Sequence, residues 1–420
     1  MRKLISTISI TALVLSQVVM ASAQTTAIVT NSGDHLDVDA TSTQNTNVLV
    51  TNNNFADVTQ TSKSVNDTGH NTANGNITVP LNPCNPCQQG GGGAGTTIQT
   101  GNATSLVNQG VTANSNNTGI SLPSGTNGAA NYTNVVNTGK YADIDTKATT
   151  NTNVLVTNNN TALVAQDSFS KNNSGYNTAN KNIGGGVGIM TGNAGSVTNQ
   201  NVNVNSNATL VVVQPGTPSA PCGACGGTGG AGNSTFVTNT GSHLDVDTKA
   251  TTNMNVEVVN SNLLVASQKS GSFNNSGHNN VSSNVGGVAG VLTGDAMSLT
   301  NQDVAANRNQ TAIVLGESAM PLGGAFLDLL NTGSHADLDV TAKTNTNLAT
   351  INDNTLLLGQ TQWNHSSSGY NYSSWNVGSS VTATGGAGSG TNQNTLSNSN
   401  NTIFGDLLGL LGGWSWMGWL

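Results

Sequence analysis

The side chains able to do chemistry are few, and they recur at fixed intervals. An Asp-x-Asp pair appears four times, as Asp37/Asp39, Asp143/Asp145, Asp245/Asp247 and Asp337/Asp339. Side chains alternate between faces along an extended strand. Each pair therefore shares one face, opposite Leu36/Val38, Ala142/Ile144, Leu244/Val246 and Ala336/Leu338. Paired carboxylates are hard oxygen donors, which makes these eight residues the candidate calcium ligands. One pair is too small a set, because Ca²⁺ takes about six to eight oxygens. The competing reading is charge on a solvent face that discourages association between sheets.

The four cysteines form two Cys-x-x-Cys motifs, Cys84/Cys87 and Cys222/Cys225, each after a Pro and before a Gly-rich run. Two such motifs could build a four-thiolate zinc site. Their separation of 138 residues argues against one within a single chain. In an oxidising compartment local disulfides, or bonds to another subunit, are the expected state. The histidines are His35, His70, His243, His278, His335 and His365, and Tyr141, Tyr176 and Tyr370 fill equivalent places in other copies. A ligand or general base is not interchangeable with Tyr, so these rings are expected to pack over turns. There is no nucleophile-elbow, phosphate-loop or zinc-protease motif. With 7% charged residues, little is available to assemble an acid, a base and an orienting group. The expectation is a protein that is not an enzyme.

These groups sit on a repeat. The tract Asn-Ser/Thr-Gly, then an aromatic or His one or two residues on, then apolar-Asp-apolar-Asp, begins at Asn31, Asn137, Asn239 and Asn331. Fourteen residues on comes an Asn-x-Asn pair in each copy: Asn45/Asn47, Asn151/Asn153, Asn253/Asn255 and Asn345/Asn347. A Gln follows at Gln60, Gln166, Gln268 and Gln360, and a Gly at Gly69, Gly175, Gly277 and Gly369. Copy one reaches Asn108-Gln109 fifteen residues later than the equivalents Asn199-Gln200 and Asn301-Gln302, which marks a loop insertion around Cys84 to Gly95.

Between turn signals the residues alternate: Thr152, Val154 and Val156 on one face, Asn151, Asn153 and Leu155 on the other. The pattern predicts an all-β chain, either an elongated β-solenoid built from four long repeats or four tandem β-sandwich domains. Small β-branched residues inside and Asn outside suit the thin core of a solenoid, and the scarcity of large aromatics counts against sandwiches. Gly139, Asn158 to Asn160, Gly175 and Gly192 read as turns every seventeen to twenty residues. On that rhythm each repeat makes about five coils and successive Asp pairs lie roughly 25 Å apart. Thr46, Thr152 and Thr346 would then recur once per long unit, too sparsely for an ice-binding lattice.

Arg2 and Lys3, the apolar stretch Leu4 to Met20 and Ala21-Ser22-Ala23 read as an export signal, with the mature chain starting near Gln24. The chain carries −8, and without Arg2 and Lys3 it holds 9 basic against 19 acidic residues. Phosphate backbones are repelled by such a chain, so nucleic acid is excluded as a partner. Its low charge and abundance of Asn, Thr, Ser and Gly suit stacked strands with side-chain amide ladders.

Segments such as NTNVLVTNNN, NSGYNTAN and TGNA resemble uncharacterised Asn/Thr-rich secreted repeat proteins of small-genome bacteria. That resemblance brings no activity with it. A looser similarity to curlin-type fibre subunits rests on Gly, Asn and Gln recurring at coil-like intervals, and it implies fibre formation.

The C-terminal stretch 403–420 holds three of the five Trp residues, Trp414, Trp416 and Trp419. Trp suits a lipid interface, but eighteen residues with five Gly and no basic flank make a poor span. Phe404-Gly405-Asp406-Leu407-Leu408 resembles Phe326-Leu327-Asp328-Leu329-Leu330, the apolar lead before the fourth repeat. It therefore reads as a lead with no fifth unit behind it. The expectation is an aromatic cap on the last coil, or failing that a strand that docks on another subunit, with membrane contact less favoured.

The organisation that follows is 1–23 export signal, 24–134 unit one with the Cys/Gly-rich insertion, 135–234 unit two with its Cys/Gly-rich linker, 235–325 unit three, 326–402 unit four and 403–420 tail. The expected function is that of a secreted, non-catalytic structural or fibre-forming protein of the cell surface, partnered by itself. An adhesin binding calcium or a glycan is the alternative. No cofactor beyond calcium is expected.

Overall fold

A computed structural model describes residues 2–17, 24–31, 34–77, 95–122, 130–213, 232–315 and 324–406. Among these there is no helix, and every strand pairing is parallel. After β1 (Arg2–Gln17), unit one supplies β2 (Gln24–Asn31), β3 (His35–Asp67), β4 (Thr96–Gln99) and β5 (Ala103–Leu122). Unit two follows the same order with β6 (Ala130–Asn137), β7 (Tyr141–Asn173), β8 (Thr178–Asn180), β9 (Val187–Met190) and β10 (Ala194–Val213). Unit three has β11 (Gly232–Asn239), β12 (His243–Asn275), β13 (Asn280–Ser282), β14 (Val285–Leu292) and β15 (Ala296–Leu315). Unit four has β16 (Gly324–Asn331), β17 (His335–Ser367), β18 (Tyr372–Ser374), β19 (Val377–Ala383), β20 (Ala387–Ser397) and β21 (Asn400–Asp406).

Each unit is one coil of a β-solenoid, and the four coils stack residue on residue. The β3, β7, β12 and β17 strands pair without a slip over 33 residues, so that His35, Tyr141, His243 and His335 share one column. The expectation of about five coils per repeat is therefore corrected to one. Asn158 to Asn160, read as a turn, lie in the middle of β7 with Asn158 and Asn160 buried. A 33-residue strand spans about 110 Å, while four layers rise only about 14 Å between the first and last. The long axis runs along the strands rather than along the stack.

The rest of each coil folds back over the long strand. β5 runs antiparallel across the second half of β3, with Asn52 Nδ2 donating to Thr118 Oγ1 (2.9 Å), Gln60 Nε2 to the Gly110 carbonyl (3.1 Å) and Asn66 Nδ2 to the Thr104 carbonyl (3.0 Å). The lead strands cover the first half: Thr235 of β11 meets Thr248 of β12, and Val237 packs with Leu244 and Val246. A smaller lobe from β4, β8, β9, β13 and β14 buries Ile98, Ala179, Ile189, Val281 and Val291.

Burial alternates along the long strands as the sequence pattern requires, with Val154 and Val156 inside and Leu155 outside. Asn, however, fills both faces. Asn52, Asn158 and Asn260 form a buried column, and so do Gln109, Gln200 and Gln302. Such groups are buried without penalty because each amide bonds to the same amide one layer away, as in Asn158 Nδ2 to Asn260 Oδ1 (2.8 Å) and Gln302 Nε2 to Gln200 Oε1 (2.8 Å). The Thr46, Thr152 and Thr346 column does recur on adjacent coils, but it points inward, with Met254 in the third layer.

Unit boundaries shift slightly. The lead strands begin at Ala130, Gly232 and Gly324, a few residues before 135, 235 and 326, and unit four extends through β21 to Asp406. The insertion in copy one is visible in the register. Ile77 pairs with Ile183 at a separation of 106, whereas Thr96 pairs with Val187 at 91, so the fifteen extra residues lie between Ile77 and Thr96. Arg2–Gln17, the segment read as an export signal, lies alongside β5 as the edge strand of its sheet.

Candidate functional site

The surface that recurs in every layer is the outward face of the first half of each long strand. Because one repeat is one layer, the eight aspartates form two continuous columns, Asp37, Asp143, Asp245, Asp337 and Asp39, Asp145, Asp247, Asp339. The expected 25 Å between pairs becomes a single strand spacing of about 4.8 Å. Like charges so placed repel. Loss of water around the carboxyls of Asp145 and Asp245 holds them above the ordinary 3.8. The neighbouring carboxylates act in the same direction: Asp143, Asp247, Asp39 and Asp245 on Asp145, and Asp143, Asp247, Asp337 and Asp339 on Asp245. Among the described residues no group of three or more His, Cys, Asp or Glu side chains is disposed to hold a metal ion.

Six residues further along, the Asn-x-Asn pairs form two outward amide ladders that line a shallow open groove. Asn151 Nδ2 donates to Asn45 Oδ1 (2.6 Å), Asn253 to Asn151 (2.7 Å) and Asn345 to Asn253 (2.7 Å). The second ladder repeats this with Asn153 to Asn47 (2.8 Å), Asn255 to Asn153 (2.7 Å) and Asn347 to Asn255 (2.7 Å). Every donor in these two points toward layer one. In the buried ladder from Asn52 through Asn158 and Asn260 to Asn352, every donor points toward layer four. Each ladder thus has a polarity, with a donor left open at one end and an acceptor at the other.

The imidazole and phenol rings stack in columns at the two ends of the long strand. His35, Tyr141, His243 and His335 follow one another with centroids 4.8 to 4.9 Å apart, and His70, Tyr176, His278 and Tyr370 at 4.8 to 5.1 Å. The second column sits just past Gly69, Gly175, Gly277 and Gly369, with φ near +60° at each ring-bearing residue. A left-handed backbone at four non-glycine positions is costly. In both columns the in-register spacing of about one strand lays the rings on one another, which accounts for the exchange of His for Tyr: either flat ring serves. Burial, and then the proximity of His365, lowers the pKa of His278 from 6.5.

The remaining sequence candidates divide. Phe404 lies in β21, paired with Ile313 of β15 at the head of the column Ile120, Val211, Ile313. Ile403 to Asp406 thus complete the sheet that contains β5, β10 and β15. The reading of Phe404 as part of a fifth lead strand is corrected, because a lead would have to pair on β16. Phe404 is 48% exposed while Ile313 beneath it is fully buried, so the last layer leaves its core column open. Leu407, Leu408, Trp414, Trp416 and Trp419, and the four cysteines Cys84, Cys87, Cys222 and Cys225, lie outside the described residues. Sequence reasoning missed the ladder termini and the ring columns as surface features. The signal was the constancy of Asn-x-Asn and of His or Tyr at fixed offsets. No family model, no curated protein and no solved structure matches this chain.

Proposed function

We propose that this chain is a secreted, non-catalytic structural protein of the cell surface that assembles end to end into fibres whose strands run across the fibre axis. The observation that carries the reading is the polarity of the ladders. At the layer-four end the acceptors Asn345 Oδ1 and Asn347 Oδ1 and the donor Asn352 Nδ2 are open. At the layer-one end the donors Asn45 Nδ2 and Asn47 Nδ2 and the acceptor Asn52 Oδ1 are open. One end offers what the other lacks, and a contact between unlike ends does not close on itself. Soluble proteins blunt long sheet edges with Pro, bulges or a covering element. The 33-residue edge of β17 contains no Pro, and its register with β12 runs without a bulge.

The N-terminal charge and apolar stretch support export, and the low charge of the chain supports close approach of copies. The test is electron microscopy and fibre diffraction of the chain beginning at Gln24. Filaments with a reflection near 4.8 Å along the axis are expected. Particles that remain single at all concentrations would refute the reading. Removing 407–420 then assigns the tail: faster assembly marks a cap, lost assembly a docking strand.

One observation favours a second reading, an adhesin. The outward Asn-x-Asn groove is identical in all four layers although it faces solvent. Its open amide donors and acceptors suit the hydroxyls of a glycan, and a glycan-binding screen of single particles tests it.

A further inference from the structure

We infer that layer four of one chain is continued directly, in register, by layer one of a second copy, and that Gly369 and Gly101 are the residues that admit this contact. The inference rests on the end-to-end assembly proposed above and specifies its seam. Two glycine columns carry it. A methyl group built on Gly69 would lie 2.0 Å from the Gly175 carbonyl oxygen, one on Gly175 1.9 Å from that of Gly277, and one on Gly277 1.9 Å from that of Gly369. Each points toward the next layer. On Gly369 the same methyl would meet nothing within 4 Å.

The second column points the other way. A methyl on Gly385 would lie 2.5 Å from the Gly294 carbonyl oxygen, one on Gly294 2.7 Å from the Gly192 carbonyl carbon, and one on Gly192 2.6 Å from the Gly101 carbonyl. On Gly101 it meets nothing within 4 Å. Neither terminal glycine has a positive φ. Within one chain, then, neither position needs to be glycine. Both need to be glycine if the Gly69 carbonyl of a second copy stacks on Gly369 while the Gly385 carbonyl of the first stacks on Gly101 of the second.

Two further columns run through the same seam. Tyr370, 81% exposed, ends the alternation His70, Tyr176, His278, Tyr370, and a second copy's His70 would continue it. The turn ladder in which Asn71, Asn177 and Asn279 donate through backbone and side chain to the next Asn Oδ1 ends at Asn371, which would meet the Oδ1 of a second copy's Asn71. In this structure β1 occupies the edge of β5 that the second copy's β20 and β21 would take. The seam therefore forms once residues 1–23 are removed. The chain from Gln24 keeps the fold, because the core columns and amide ladders lie between Ala27 and Asn400.

The test uses Gly369→Ala and Gly101→Ala in the chain from Gln24, with circular dichroism to verify that each matches the parent and analytical ultracentrifugation to read assembly. Each variant alone is expected to lose filament formation and sediment as a monomer, since every seam would contain one blocked end. Mixed in equal amounts they are expected to give discrete dimers and nothing larger. The unmodified layer-four end of Gly101→Ala can still meet the unmodified layer-one end of Gly369→Ala. Parent filaments together with variants that assemble as well as the parent would overturn the seam and leave fibre formation standing. A parent that forms no filaments would overturn both. If either variant loses its strand signal, the open space assigned to that glycine is wrong and the seam falls with it.

Discussion

Replacing Asn158 by Leu tests whether the amide ladders hold the layers together. Asn158 is fully buried; its Nδ2 donates to Asn260 Oδ1 (2.8 Å) and Thr209 Oγ1 (3.2 Å), and its Oδ1 accepts from Asn52 Nδ2 (2.7 Å). Leu keeps the branched Cβ–Cγ skeleton of Asn with bulkier ends, so no cavity opens. Three hydrogen bonds at about 1 kcal/mol each are lost, and Asn260 Oδ1 is left buried without a donor at about 1–3 kcal/mol. Part of this is offset by the apolar burial of Leu, about 1 kcal/mol. The expected loss is about 3–5 kcal/mol. Asn352→Leu at the open end of the same ladder removes one bond and leaves Asn260 Nδ2 without an acceptor, which with the same offset for Leu comes to about 1–3 kcal/mol. Urea unfolding followed by circular dichroism compares the two midpoints. Equal shifts, or a shift at Asn158 worth under about 1 kcal/mol, would refute the claim that ladder bonds and not apolar burial select Asn inside.

Three other outcomes are expected. A carboxyl held above its ordinary pKa contributes stability that is complete below 3.8 and lost as pH rises through the raised value, so Asp145→Asn should raise the melting temperature at about pH 7 and leave it unchanged at about pH 3. His278 has the opposite sign. Its lowered pKa means stability is lost as pH falls through 6.5, and His278→Tyr, matching Tyr176 and Tyr370, should flatten melting temperature between about pH 7 and pH 5. Gly175→Ala places a methyl 1.9 Å from the Gly277 carbonyl and should abolish the strand signal in circular dichroism.

The β class, the face of each strand and the alignment of the four units were legible because they depend on spacing, and spacing survives translation into structure unchanged. Val154, Val156 and Leu155 sit where alternation puts them, and the described strands contain no Pro, whose missing N–H would break a ladder. The number of coils per repeat was not legible. Asn158 to Asn160 carry the chemistry of a turn, but a column of identical amides gives the same residues a second way to be satisfied, and that way is available only once the neighbouring layer is known. The same blindness placed Asn outside and spread the Asp pairs apart. Phe404 was misassigned by likeness to Phe326, when the pairing that decides its place is with Ile313.

The claim that one repeat is one layer is tested most directly by a distance within a single chain. Leu49, Leu155 and Glu257 share one exposed column in layers one, two and three. With the four native cysteines replaced by serine, nitroxide labels at Leu49→Cys and Glu257→Cys should lie two strand spacings apart, about 10 Å between backbones, and show strong dipolar broadening in electron paramagnetic resonance. A separation of about 50 Å, the value for five coils per repeat, would contradict the stacked architecture and every assembly contact built on it.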